Sequence, residues 1–177
     1  MRTFSKGRSP VTATLRSTSV GSSRSTTGRW QRTTAMAPVD RTKIRSHIDF
    51  VRGNVRRLEQ IRTGGRSPFL DSEVSQAAAT RWLQTAVEAM IDIANHVIAR
   101  EGLGVPRAYS ETMEILTREK VLPSDRREAF LAMVRFRNRV VHLYDEVHPE
   151  EIWRILDSDL GDFEAFIGAI VARYFTE

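Results

Sequence analysis

From about residue 40 onward, apolar residues recur at intervals of three and four positions, the spacing of an amphipathic α-helix. In the first such segment the recurring residues are Ile44, Ile48, Val51, Val55, Leu58 and Ile61. Asp40 precedes them and is predicted to be the N-cap residue, because its carboxylate can accept hydrogen bonds from the first free backbone N–H groups. Gly64-Gly65 and Ser67-Pro68 predict where the helix ends.

A second and longer helix is predicted to begin at Asp71 and to run to about Arg100. Its apolar face is wide, and it consists of Val74, Ala78, Trp82, Leu83, Ala86, Met90, Ile93, Ala94 and Val97. Gly102 is expected to end this helix, and Gly104-Val-Pro106 is expected to form a connector.

Four further helices follow in the pattern. Ser110 is predicted to cap a short helix that ends near Lys120, and Pro123-Ser124 is predicted to open the next helix. Its inward positions are Phe130, Leu131, Val134 and Val141. Pro149 suits the first position of a short helix that carries Ile152, Ile155 and Leu156. The last helix carries Phe163, Phe166, Ile167, Ile170, Val171 and Tyr174. With no alternating strand pattern and no repeats, the sequence predicts an all-α, up-and-down helical bundle.

Polar chemistry is concentrated in one helix of this bundle, in the sequence Arg135-Phe-Arg-Asn-Arg-Val-Val-His-Leu-Tyr-Asp145. At about 100° per residue, Arg137 and Tyr144 share one face of a helix, and Asn138 and His142 share the neighbouring stripe. The four side chains would therefore form one patch if the helix extends to about Tyr144. Spacing alone is equally consistent with a solvated helix end, where Arg and His favour the macrodipole and cap free carbonyls.

Charge is unevenly distributed along the chain. The net charge is +5, but residues 1–39 hold seven Lys and Arg and no acidic residue. Residues 40–177 therefore carry 20 Lys and Arg against 22 Asp and Glu. Any contact of the folded part with nucleic acid must thus come from a local patch rather than from the overall field.

The segment 1–39 is rich in Ser, Thr and Arg and poor in large apolar side chains, so it is predicted to be a disordered basic tail before a domain at 40–177. It is also typical of an organellar transit peptide, or of a basic tail that binds nucleic acid or an acidic surface. We favour a third interpretation, in which the start codon is misassigned and Met36 is the first residue.

Cysteine is absent, which fits a reducing cytoplasm and leaves neither disulfides nor thiolate metal sites. No apolar run approaches the roughly 20 residues that span a bilayer. We therefore expect a cytoplasmic protein that makes no membrane contact. A single His96 without a second ligand at metal spacing reads as a structural residue, and neither a metal nor a cofactor is expected.

The stretch Arg137-Asn138-Arg-Val-Val-His142-Leu-Tyr144 resembles the R-N-x-x-x-H-x-Y signature of HEPN-domain toxins, in particular the HepT-like family. Flanking sequence is similar as well: residues 83–96, Val121-Leu-Pro123 and Glu146-Val-x-Pro-Glu. The resemblance extends from about Asp40 to Phe175. Arg-x-x-x-x-His alone is a weak motif, and the Asn, the Tyr and the flanks make it more specific.

The resemblance implies an endoribonuclease toxin of a type VII toxin–antitoxin system that needs no metal. In that interpretation Arg137 and His142 are the catalytic residues, and Asn138 orients the His or the phosphate. The family also implies a homodimer that brings two such helices together, an RNA substrate, and a minimal nucleotidyltransferase antitoxin that attaches AMP to Tyr144. Structural interpretations remain open: Asn138 as a helix cap and Tyr144 as an aromatic that seals the bundle end. The rival function is a non-catalytic HEPN module that binds nucleotide or a nucleotidyltransferase.

Glu88, Asp92 and Asn95 lie at helical spacing on the long second helix. They could meet Arg137 in a buried network and balance its charge, or they could face water. We keep Glu88 and Asp92 as candidate supporting residues.

Overall fold

The computed structural model describes residues 38–142 and 147–176, and this part of the chain is helical and contains no β-strand. The helices are α1 (Arg41–Gly64), α2 (Arg66–Leu70), α3 (Glu73–Glu101), α4 (Tyr109–Arg118), α5 (Arg127–His142), α6 (Pro149–Arg154) and α7 (Gly161–Tyr174). A 3-10 turn leads into α5, and a π-turn at Ile155–Asp159 continues α6. The predicted all-α class is confirmed.

Helix α3 lies at the centre and contacts α1, α2, α4, α5 and α6. It runs antiparallel to α1, since the backbone N–H of Asp40 donates to His96 while the amide of Asn54 donates to Thr85, nearer the start of α3. Asn54 is buried, so this bond satisfies a polar group inside the α1–α3 contact.

Two other helix pairs are also antiparallel. In the α4–α5 pair, Tyr109 lies against Arg137 while Glu114, further along α4, pairs with Arg127 at the start of α5. In the α1–α7 pair, Arg52 binds Glu164 near the start of α7, while Arg45, earlier on α1, lies over the ring of Phe175 just after the end of α7. Arg137 of α5 contacts Glu88 of α3 as well as Tyr109 of α4, so this part of α5 lies against both helices.

The interior is apolar and is built mostly from the residues that recur at helical spacing. The largest fully buried side chains include Phe69, Phe130, Phe163, Phe166, Leu83 and Met90. Phe130 and Phe166 meet edge to face with ring centroids 5.9 Å apart, which links α5 to α7. None of the described helices is both long and apolar enough to cross a bilayer.

Two predicted helix boundaries are confirmed by their geometry. The Asp40 carboxylate accepts from the backbone N–H groups of Thr42 and Lys43. The hydrogen bond from Lys43 is the main cause that lowers the Asp40 pKa. Gly102 ends α3 at φ 67°, a left-handed conformation that glycine adopts without the steric cost of a Cβ.

Other local predictions are wrong. Helix α3 is capped by Ser72 and begins two residues after Asp71, and Ser110 lies inside α4, which has no side-chain cap. The Glu111 carboxylate instead accepts from the backbone N–H of Arg107. Val74 and Val141 were expected inside but are exposed. The short helix α2 is also missing from the prediction: Ser67-Pro68 indicates a stop, yet proline is tolerated in the first turn of a helix, where Pro68 lies.

Candidate functional site

The site is built on the second half of α5, which is an unbroken helix up to His142. Phe130 and Val134 are fully buried and hold this helix against the core. Asn138 and His142 are therefore one turn apart on the same helix. His142 is described only as the last residue of α5, and Tyr144 lies outside the described residues.

Arg137 is anchored to the central helix. Its Nε and Nη2 donate to the same carboxylate oxygen of Glu88, at 3.2 Å and 3.1 Å. The Arg137 side chain is only 12% exposed, and the Glu88 side chain is 34% exposed. Glu88 is thus the counter-charge that lets a guanidinium lie between helices.

Two further contacts orient the guanidinium. Its Nη1 donates to Oδ1 of the neighbouring Asn138 at 3.3 Å, and its Cζ lies 4.8 Å from the centroid of the Tyr109 ring. A cation over an aromatic face is attracted by the ring quadrupole. The Arg137 side chain is therefore held by contacts from α3, α4 and α5.

The arrangement leaves donors unused. An arginine carries five N–H groups, and within the described residues Arg137 uses three of them, two on Glu88 and one on Asn138. Because Asn138 accepts through its oxygen, its own NH₂ group can donate elsewhere. A preoriented guanidinium beside a free amide is suited to bind a phosphate or a developing negative charge.

A chain of side chains supports Glu88 from behind. Gln84, one turn earlier on α3, donates to the same Glu88 oxygen at 3.1 Å. Arg81 in turn donates to Gln84 at 3.3 Å. One oxygen of Glu88 therefore accepts three hydrogen bonds, which restrains the carboxylate that positions Arg137.

The neighbouring arginines are held differently. Arg139 pairs with Glu151 at the start of α6, and its Nε is buried without a partner among the described residues. Arg135 is 63% exposed, and its nearest carboxylate oxygen, on Glu128, lies 4.0 Å away. Arg135 is therefore available to a ligand, while Arg139 ties the end of α5 to α6.

The predicted acidic partners of Arg137 do not act as a group. Glu88 contacts Arg137, whereas Asp92 is exposed and lies with Lys43, His47 and Arg100 around a separate groove. Glu88 and Asp92 are four residues apart on α3, but only the first reaches α5. The expected joint network is thus reduced to Glu88 in the described residues.

His96 has a structural contact. Its Nε2 accepts from the backbone N–H of Asp40 at 3.0 Å, which requires that nitrogen to be unprotonated. Burial is the main cause that lowers the His96 pKa, and nearby Lys43 and Arg100 lower it further. Neutral His96 therefore fastens the start of α1 to α3.

Sequence reasoning missed Tyr109 and Gln84 as parts of this site. Gln84 and Glu88 are four apart on a predicted helix, so their contact was within reach of a spacing argument. Tyr109 carried no such signal. It follows a Gly- and Pro-containing connector, and only the packing of α4 against α5 places its ring on Arg137.

Comparison with known proteins finds two relatives, and each match covers nearly the full length of the relative. The chain is 30% identical over 130 residues to the mRNA nuclease HepT of Shewanella oneidensis, covering 73% of this chain and 97% of that protein. It is 21% identical over 141 residues to the tRNA nuclease HepT of Aphanizomenon flos-aquae, covering 80% and 96% respectively.

Solved structures agree with these sequence matches. The tri-AMPylated Shewanella oneidensis HEPN toxin, solved in complex with its MNT antitoxin, superposes with a TM-score of 0.69 at 29% identity. The match covers 73% of this chain and 97% of the toxin. The cytosolic protein YutE of Bacillus subtilis, at 21% identity and a TM-score of 0.64, shows the same fold.

The family model described as Ribonuclease HepT-like matches residues 51–170. This range includes the central helix α3, the anchoring Glu88 and the whole of α5. Since the match covers well over half of the chain, this protein belongs to the HepT-like family.

Proposed function

We propose that this protein is a metal-independent endoribonuclease and the toxin of a toxin–antitoxin pair. The observation that carries the proposal is Arg137, a guanidinium held by Glu88 and Tyr109 with N–H groups to spare, on the same helix as Asn138 and His142. The names of the two relatives, an mRNA nuclease and a tRNA nuclease, support RNA as the substrate class.

The chemistry follows from these side chains. When the 2′-oxygen of RNA attacks the adjacent phosphorus, that hydroxyl loses a proton, negative charge builds on the phosphate oxygens, and the leaving 5′-oxygen gains a proton. Arg137 donates a fixed fork to the charged oxygens. His142 carries the proton, because the histidine pKa lies near neutrality. The free amide of Asn138 orients the phosphate.

A complete site requires two copies of the chain. One His142 and one Arg137 supply a single proton carrier and a single cation, while the reaction needs both a base and an acid. We propose a homodimer that brings two α5 helices together. Sedimentation should show a dimer at the concentrations where RNA is cleaved, and an active protein that is strictly monomeric would contradict this part of the proposal.

Regulation is proposed to act at Tyr144. The Shewanella toxin is described as tri-AMPylated and bound to an MNT antitoxin, which supports modification by a nucleotidyltransferase partner here. Each AMP adds a phosphate charge close in sequence to Arg137, where it would compete with the phosphate of RNA.

Tyr144→Phe separates this modification from catalysis. The variant removes only the hydroxyl, so it should cleave RNA and yet resist silencing by the partner enzyme with ATP. Silencing of Tyr144→Phe to the same extent as wild type, with AMP found on another residue, would show that Tyr144 is not the regulated position.

The proposed nuclease activity is tested in cells. The full chain should arrest growth and cause RNA decay, and His142→Ala should abolish both. His148→Ala is the matched control, because His148 is exposed and its side chain makes no cap bond to α6. Growth without RNA decay in cells expressing wild type would instead favour the non-catalytic HEPN module.

A further inference from the structure

A groove of about 720 Å³ opens beside Asn138, between α3, the start of α4 and α5. We call it the Tyr109 groove. The side chains that give it its character are Arg107, Tyr109 and Arg135, with the amides of Asn95 and Asn138. It adjoins the anchored Arg137, since Tyr109 and Asn138 both contact that guanidinium.

The groove is locally basic in a domain that is slightly acidic. Arg107 and Arg135 are exposed, and the residues lining the groove in the described part of the chain include no Asp or Glu. By contrast, residues 40–177 as a whole carry more Asp and Glu than Lys and Arg. The exposed arginines of the groove would therefore attract a polyanion to this part of the surface.

Tyr109 gives the groove a stacking surface. The residue is 42% exposed although one side of its ring packs against the Arg137 guanidinium. An exposed aromatic ring beside arginines is the combination that binds single-stranded nucleic acid, in which bases stack on rings and phosphates pair with cations. A contact with another protein would not by itself require an exposed ring and exposed arginines beside the preoriented Arg137.

We propose that the Tyr109 groove binds a nucleotide of single-stranded RNA next to the phosphate held by Arg137. Tyr109 stacks on an unpaired base, Arg107 and Arg135 bind the adjoining phosphates, and the amide of Asn95 hydrogen-bonds the base or the sugar. The inference rests on the proposed ribonuclease function and adds to it a substrate class, RNA with an unpaired base near the cleavage point.

Binding is measured without cleavage by using His142→Ala as the background. Fluorescence anisotropy with a labelled single-stranded RNA oligonucleotide gives the affinity. Tyr109→Leu in this background should weaken binding by about fivefold or more, since a base–aromatic stack contributes about 1–3 kcal/mol. Tyr109→Phe keeps the ring and should bind within about twofold of the background protein.

Phe50→Leu is the matched control for loss of an exposed ring. Phe50 is 50% exposed on α1 and does not line the groove. Its substitution should leave RNA affinity unchanged. Circular dichroism of each variant establishes that the helices are intact.

Arg107 provides a second and independent test, because Arg107 has no contact with Arg137 among the described side chains. Arg107→Ala should reduce the slope of log affinity against log salt by about 0.7, the change for one lost phosphate contact on a single strand. Arg118→Ala is its control, since Arg118 is 64% exposed on α4 and pairs with Glu119 away from the groove. That variant should keep the original slope.

Several results would overturn the inference. These are unchanged affinity in Tyr109→Leu, an unchanged salt slope in Arg107→Ala, or equal affinity for a fully paired RNA duplex. Displacement of the RNA by low concentrations of AMP would also overturn it, because the groove would then be a site for free nucleotides.

The outcome is separable from that of the proposed function. If wild type cleaves RNA while Tyr109→Leu binds it normally, the groove inference fails and the nuclease stands. If wild type never cleaves but the Tyr109 and Arg107 effects appear, the nuclease fails and the groove stands as an RNA-binding site.

Discussion

Among the Arg–Glu pairs that join helices in the described residues, Arg52–Glu164 and Arg137–Glu88 differ in exposure and in hydrogen-bond geometry. Arg52 of α1 and Glu164 of α7 form a two-pronged pair, with both hydrogen bonds at 3.2 Å and side chains 42% and 51% exposed. Arg137 of α5 instead donates from two N–H groups to a single oxygen of Glu88. Its side chain is only 12% exposed.

The better geometry thus belongs to the pair on the surface. Arg52 uses its fork as arginine usually does, and Glu164 is the main cause that raises its pKa. Arg137 is instead shared among Glu88, Asn138 and Tyr109 and is largely buried. The difference teaches that the exposed pair fastens α1 to α7, while the guanidinium of the buried pair is held in one orientation from α3, α4 and α5.

The largest expected effect separates the two arginines by activity. Arg137→Ala should lower RNA cleavage by about 10²–10³, the usual loss when one preoriented donor to a transition-state oxyanion is removed. Arg137→Lys should recover little of this, because a point charge cannot reproduce the fork. Arg52→Ala should cleave at the wild-type rate. Steady-state cleavage of an RNA oligonucleotide gives all three rates, and equal losses at Arg137 and Arg52 would remove the distinction.

A smaller effect separates the two carboxylates by stability. Glu88→Gln keeps a hydrogen-bond acceptor but leaves the Arg137 charge without its counter-charge, so the free energy of unfolding should fall by about 1–2 kcal/mol. Glu164→Gln should change it by less than about 1 kcal/mol, as for exposed pairs. Urea unfolding of both variants measures the difference. A larger loss in Glu164→Gln would reverse the assignment of the two pairs.

The smallest effect is on salt dependence. Because exposed charges are screened, the contribution of the Arg52–Glu164 pair should fade as salt approaches 1 M. The stability difference between wild type and Glu164→Gln should therefore shrink with salt, and that between wild type and Glu88→Gln should persist. Repeating the urea series at low and high salt tests this, and parallel shrinkage of both differences would mean that Glu88 is screened as well.

Local patterning predicted the helices well because each depends on neighbours in sequence. Asp40 as a cap, Gly102 as a stop and the buried residues of α1 follow from spacing and from backbone chemistry. The wrong burial predictions fall at helix ends, where the apolar spacing continues but the side chain is not covered by a neighbouring helix. Val74 is the second residue of α3 and Val141 is the next to last residue of α5, and both are exposed.

The candidate site was only partly within reach of the sequence. Arg137 and Asn138 stood out by their motif, but Glu88 lies 49 residues away from Arg137, and periodicity cannot say which turn of α3 faces α5. Asp92 lies on the same predicted face of α3 as Glu88, but it lines a different groove. Tyr109 needed the fold itself, since only the antiparallel packing of α4 and α5 brings it to Arg137.

The central claim is that Arg137 and His142 belong to a ribonuclease site that works without a metal ion. Its most direct test is cleavage of single-stranded RNA by the purified chain in EDTA, with His142→Ala compared with wild type. Wild type should cleave at an undiminished rate, and His142→Ala should be slower by about 10²–10⁴, the range for a positioned acid–base group. Equal rates for the two proteins, or complete loss of wild-type cleavage in EDTA, would contradict the claim.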